Sequence, residues 1–275
     1  MKRKRTFLLP AVLFAIMVWT LWSNTALEVT EYVISSSKIP EDFSGFRIAH
    51  ISDFHNADYW DRSGDLICLL KESNPDIIVI TGDMIDSRNT DIPKALTLAA
   101  EAVSIAPTYY VTGNHESRIS DLHVLLEGLQ NLGVTVLDNK TVPLQQGDAV
   151  ICLMGTEDPT LYAYGNVEHA VAKVIDGMKQ DSYTILLAHR PELFPVYAEC
   201  GIDLTLAGHV HGGQARLPLI GGLIGPNQGF FPKYDAGHFC IDDSEMVLSR
   251  GIGNSVVPVR FNNRPQIPLI ILQHI

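Results

Sequence analysis

Five times along this chain a short apolar run stops at Asp, Asn or His. Phe46–Ser52 runs into Asp53 and His55, and Asp76–Thr81 into Gly82 and Asp83. Thr108–Thr112 leads to Gly113, Asn114 and His115, Thr184–Ala188 to His189, and Ile202–Ala207 to Gly208, His209 and His211. Runs this short and this rich in β-branched and aromatic residues read as buried strands. Between them, residues 62–73, 93–105, 119–132, 167–178 and 191–199 carry helical spacing, with Leu66, Leu69 and Leu70 sharing one face. Residues 134–137, 142–146, 149–154, 237–241, 245–249 and 267–273 read as further strands. Strands alternating with helices predict an α/β layered fold. Ligands of open α/β sheets gather where strands end, which is where the Asp, Asn and His residues lie.

These residue types suit Mn, Fe, Zn or Co. In Asp53-x-His55 and His209-x-His211, side chains two apart on extended backbone face the same way, so each pair can reach one pocket. A carboxylate such as Asp83 can bridge two ions, and Asn114 supplies a neutral oxygen. Asp-x-His alone is common in solvated turns, and Gly-Asp alone is close to noise. All the motifs together, in this order and each at a strand end, predict a metal site. Arg190 and Arg216 flank the motifs and are candidates to bind a substrate phosphate. Residues 212–236 are rich in Gly and Pro yet carry Leu217, Leu219, Ile220, Leu223, Ile224, Phe230 and Phe231. A connection this long is either a functional loop or an irregular cover over the core.

The set Asp-x-His, Gly-Asp, Gly-Asn-His-Glu, a single His and Gly-His-x-His resembles the calcineurin-like metallophosphoesterases. The segments around His50–His55, Ala188–Glu192 and Gly208–Gln214 resemble that family's membrane-associated bacterial subgroup. The resemblance implies two packed mixed β-sheets flanked by helices, a four-layer sandwich. It implies two divalent ions, one held by Asp53, His55 and His211, the other by Asn114, His189 and His209, with Asp83 bridging. His115 would not bind metal but would face the leaving-group oxygen as a general acid. The implied activity is hydrolysis of a phosphodiester, phosphomonoester or pyrophosphate. Some relatives act on UDP-2,3-diacylglucosamine, so a lipid-linked or nucleotide-linked substrate is an expectation here. The alternatives are a metal-binding envelope protein without catalysis, and a protein phosphatase or nuclease on the same scaffold.

The N-terminus adds a second expectation. Lys2, Arg3, Lys4 and Arg5 precede an uncharged stretch, residues 6–22, of near-spanning length. This predicts a transmembrane signal anchor over residues 1–27, with residues 28–275 as a catalytic domain on the extracytoplasmic side of the cytoplasmic membrane. Removing those four from the 20 basic residues leaves 16 against 31 acidic, a balance of −15. A domain so acidic repels nucleic-acid backbones, so no nucleic-acid partner is expected. Cys68, Cys152, Cys200 and Cys240 are far apart in sequence and read as unpaired thiols.

Overall fold

The computed structural model describes residues 8–57, 65–161, 166–178, 181–254 and 258–275. Helix α1 (Leu8–Thr25) precedes strands β1 (Glu28–Ser35) and β2 (Arg47–Ile51). Then come α2 (Asp65–Glu72), β3 (Ile77–Thr81), α3 (Ile92–Ile105), β4 (Thr108–Val111), α4 (Leu122–Asn131) and β5 (Thr135–Val136). The second half holds β6 (Lys140–Gln146), β7 (Ala149–Gly155), α5 (Val167–Met178), β8 (Thr184–Leu187), α6 (Phe194–Glu199) and β9 (Leu204–Ala207). Two small hairpins follow, β10 (Arg216–Leu217) with β11 (Gly221–Gly222) and β12 (Ile224–Gly225) with β13 (Gly229–Phe230). The chain ends with β14 (Gly237–Ile241), β15 (Ser244–Leu248) and β16 (Gln266–Gln273).

One six-stranded sheet has the order β1-β16-β2-β3-β4-β5, the other β14-β15-β9-β8-β7-β6. β2 through β5 run parallel, as do β7, β8, β9 and β15. Alternation along β3 explains the layering. Ile77 and Val79 pack between the sheets with Ile185, Leu187, Leu204 and Leu206. Ile78 and Ile80 face α2, α3 and α4 through Leu70, Leu98 and Leu125. Val171 and Phe194 of α5 and α6 cover the far face of the second sheet. Strands buried on both faces must be apolar throughout, which is why they read as continuous runs.

His50 lies in β2, fully buried, with Nε2 2.7 Å from Thr81 Oγ1. Burial lowers its pKa to about 3. Below the ordinary value of about 6.5 the unfolded chain takes up a proton that folded His50 refuses until about pH 3, so stability falls with falling pH across that window. The expected contribution is about 1.4 kcal/mol per pH unit. Urea midpoints at pH 7, 6 and 5 should show a shallower acid dependence in His50→Asn than in the parent.

The expected membrane anchor is corrected. No helix among the described residues is long and apolar enough to cross a membrane, so the single-pass arrangement with an external domain falls with it. The reason is local. The last turn of α1 is polar and docked: Ser23 is fully buried and accepts from Asn262 N at 3.1 Å, and Asn24 bonds both N and O of Arg260. That leaves about 15 apolar residues, spanning roughly 22 Å, against a hydrocarbon core of about 30 Å. Lys2–Arg5 lie outside the described residues.

Candidate metal centre

Parallel strands of both sheets end at one edge of the sandwich. Sheet one brings Asp53 and His55 from the end of β2, Asp83 from β3, and Asn114 and His115 from β4. Sheet two brings His189 from β8, and His209 and His211 from β9. All eight side chains are buried.

They converge in two groups. His55 Nε2 and His211 Nε2 are 3.1 Å apart, and Asp53 Oδ1 is 3.9 and 3.6 Å from them. His189 Nε2 is 3.1 Å from His209 Nδ1 and 3.2 Å from Asn114 Oδ1. Asp83 Oδ2 lies between the groups, 3.5 Å from His55 Nε2 and 3.2 Å from His189 Nε2.

The backbone holds this arrangement under strain. Asp53, His55, Asp83, His209 and His211 have φ between 48° and 75°. Such left-handed conformations cost non-glycine residues about 1–3 kcal/mol each and cluster where function requires them. The surrounding bonds compensate. Asp53 accepts from Ser52 Oγ (2.7 Å) and His209 N (3.0 Å), and Asp83 Oδ1 accepts from His115 N (2.8 Å). Glu116 accepts from the amides of Asp83 (2.9 Å), Met84 (2.7 Å), Ile85 (3.3 Å) and Gly113 (2.9 Å), tying two ligand loops together. Burial, then the nearby Asp83, raises Glu116 to about 8 against the lowering effect of those amides.

The donors fit a cationic occupant. His189 donates Nδ1–H to Thr81 O at 2.7 Å, which leaves its Nε2 lone pair facing Asp83, Asn114 and His209. Acceptors crowded on a lone pair repel unless positive charge sits among them. Burial alone would lower His189, yet Asp83 and Asp53 raise it to about 10, so the carboxylates draw a proton to that spot. Burial lowers His55 and His211 to about 3, keeping both rings neutral and able to ligate.

Gly208 shows how tightly the loops meet. A Cβ there would overlap Ser52 Oγ and come within 2.5 Å of Asp53 Oδ2. Gly208→Ala should push the Asp53 carboxylate aside, destabilise by about 1–3 kcal/mol and weaken metal binding at least roughly tenfold. Thermal unfolding with and without Mn²⁺ would measure both effects.

His115 borders the first group, its ring centroid 4.5 Å from that of His55. Its Nδ1 accepts from Ser87 N at 2.9 Å, which places the proton of the neutral ring on Nε2. Asp86 Oδ1 lies 3.7 Å from the same Nδ1. Asp86 and Ser87 are part of the site, and neither belongs to a recognisable sequence pattern.

A cavity of about 480 Å³ opens over Asp83, Asn114, His115, His209 and His211. Its opposite wall is Ile224–Asn227 of the β12–β13 hairpin, and Arg118 and Arg190 also line it. Residues 212–236 are therefore largely two ordered hairpins, one of which walls the site. The Arg190 guanidinium is gripped by both Asp158 oxygens, at 2.6 and 3.0 Å. Arg216 is set back from the cavity wall, paired with Asp235 at 3.0 Å and bonded to Gly212 O. Arg260, fully buried, donates to Gly253 O at 2.6 Å and lies 3.4 Å from His211 Nδ1.

The calcineurin-like phosphoesterase family model matches residues 46–213, which span every one of these motifs. The chain belongs to that family. It is 30 % identical over 255 residues to the uncharacterised metallophosphoesterase YkuE of Bacillus subtilis, covering 90 % of this chain and 86 % of that protein. It is 28 % identical over 232 residues to the phosphodiesterase YaeI of Escherichia coli, covering 82 % of each. The solved structure of TT1561 from Thermus thermophilus shares the fold, with a TM-score of 0.50 and 11 % identity over 76 % of this chain and 91 % of that one. The protein is thus a metallophosphoesterase, a phosphoester hydrolase with clustered Asp and His residues that could hold divalent metal.

Proposed function

We propose that the protein hydrolyses a phosphoester of an amphiphilic substrate, with Asp53, His55 and His211 holding one divalent ion, Asn114, His189 and His209 another, and Asp83 between them. The observation that carries the ligand scheme is the position of Asp83 Oδ2, within 3.5 Å of a ring nitrogen of each group. When bound, the ions supply Lewis acidity to the phosphoryl group and lower the pKa of water. His115 does the work nearest the leaving group. Ser87 N donates to Nδ1, which puts the proton of the neutral ring on Nε2, and His115 lines the cavity. It acts by donating this hydrogen bond to the departing oxygen, whose charge grows along the reaction. Arg118 brings positive charge to the cavity of an otherwise acidic domain, and Arg190 beside it is held by Asp158.

The amphiphilic part rests on the hairpins. Leu219 and Ile220 between β10 and β11, and Phe230 and Phe231 at the end of the β12–β13 hairpin, are strongly exposed, and Phe230 pairs with Ile224, which lines the cavity. Exposed large apolar side chains on the hairpins beside the site suit a substrate carrying apolar chains. A nucleotide-linked lipid of the UDP-2,3-diacylglucosamine kind fits that description.

His115→Ala should keep the bound metal and lose about 10²–10⁴-fold in turnover. A panel of soluble and lipid phosphoesters with Mn²⁺, and then with chelator, tests the whole reading. Faster turnover of soluble nucleotides than of every lipid ester would remove the amphiphilic part. Undiminished turnover in His115→Ala would remove the assigned role of that residue.

A further inference from the structure

A second group of metal-ligating side chains lies on the β14–β15 hairpin, well away from the centre described above. His238 and Cys240 are two apart on β14 and both exposed, so they share one face. Cys240 stands directly across from Glu245 in the register. His238 Nε2 is 2.5 Å from Glu245 Oε2 and 3.8 Å from Cys240 Sγ. One donor atom from each of the three lies within 4.8 Å of the other two.

The hairpin holds these donors at a fixed spacing. Phe239 and Ile241, on the opposite face, pack against the core, and Ser244 Oγ bonds Ile202 O at 2.5 Å. Glu245 is registered with Leu204 at the start of β9, whereas His209 follows the end of β9. Five residues of strand separate them, roughly 16 Å. The two groups share no residue.

We propose that His238, Cys240 and Glu245 form a site for Zn²⁺, with three protein donors and one position open to water. Tetrahedral zinc with nitrogen, sulfur and oxygen donors has donor–donor edges of about 3.3–3.8 Å. The observed 3.8 Å between His238 Nε2 and Cys240 Sγ already meets that spacing. The His238–Glu245 contact must open by roughly 1 Å, a change that one exposed side-chain torsion supplies. Thiolate and imidazole together favour zinc over Mg²⁺ or Mn²⁺, which prefer oxygen. On binding, the Cys240 thiol loses its proton to solvent, the His238 ring proton resides on Nδ1, and Glu245 contributes a carboxylate oxygen.

Cysteine makes the site spectroscopically separable, because the candidate ligands of the catalytic centre are only Asp, His and Asn. The test is titration of the Mn²⁺-loaded, full-length protein with Co²⁺. One equivalent should produce a thiolate-to-cobalt charge-transfer band in the near ultraviolet, and Zn²⁺ should bleach it. Cys240→Ser should abolish the band, while Cys68→Ser, which removes the other exposed thiol, should keep it. His238→Ala should weaken Co²⁺ binding at least roughly tenfold, since three donors become two. The proposal is overturned if no band forms in the parent, if the band survives Cys240→Ser, or if His238→Ala binds Co²⁺ unchanged.

Discussion

On the proposed ligand scheme, Asp83→Asn should lose at least about 10³-fold in turnover, because the ions that would supply the Lewis acidity would no longer be held together. The substitution changes almost no volume. The side-chain oxygen that accepts from His115 N at 2.8 Å can stay in place. What disappears is the negative charge between His55 and His189, 3.5 and 3.2 Å away. An amide turned toward two ring nitrogens offers at best a weak neutral ligand or an N–H that repels cations. Burial works against ionisation of Asp83, but the charge and hydrogen bond of His189 hold its carboxyl well below the usual range, so the charge is present at neutral pH. Metal analysis after dialysis should show reduced content in the variant. The metal-free variant should be less stable than the metal-free parent, because Asp83 is the charge that faces His189 in the buried pair and removing one partner leaves the other uncompensated. The gain in thermal stability on adding Mn²⁺ should shrink; at a hundredfold excess over Kd it amounts to about 2.7 kcal/mol in a protein that binds. A variant that keeps its metal and its turnover would show that Asp83 is not the bridge.

The residues that converge on the site could be read from sequence because strand endings are local events. An apolar run must stop somewhere, and where it stops at Asp53, Asp83, Asn114, His189 and His209 the parallel topology brings the endings together. Helices α2 to α6 were legible for the same reason, through spacing that needs only near neighbours. What required the folded chain depends on distant partners. β1 pairs with β16 from the other end of the chain, a register no local pattern encodes. The docking of Ser23 and Asn24 onto Asn262 and Arg260 is equally remote, and so the apolar stretch before it reads as an anchor from sequence alone. Asp86 and Ser87 reach His115 only because the β3 and β4 loops touch. The left-handed conformations of Asp53, His55, Asp83, His209 and His211 were also invisible, because sequence flags such backbone at glycine and not at Asp or His.

Glu116→Ala should cost both stability and metal, and the joint loss identifies what the residue does. Glu116 is fully buried and follows His115 directly, so a catalytic carboxylate is the obvious reading. Its contacts say otherwise. Oε1 faces Met84 N and Ile85 N, and Oε2 faces Asp83 N and Gly113 N. Both oxygens are therefore spent on the backbone of the loops that present Asp83 and Asn114. Removing the side chain strands up to four amides, each worth about 1–3 kcal/mol if left without a partner. Two effects reduce that total. Water can enter the vacated space, and the burial that raises Glu116 to about 8 no longer opposes folding. The unsatisfied amides still win, with a net loss of about 3 kcal/mol expected from urea unfolding. Glu116→Gln should recover little, because its NH₂ group must face two N–H donors whichever way the amide turns. If Glu116 were instead a proton-transfer group, Glu116→Ala would keep its urea midpoint and its metal while turnover fell. Loss of all three together supports the brace, because an Asp83 loop without its three amide contacts to Glu116 cannot hold a carboxylate in place between His55 and His189.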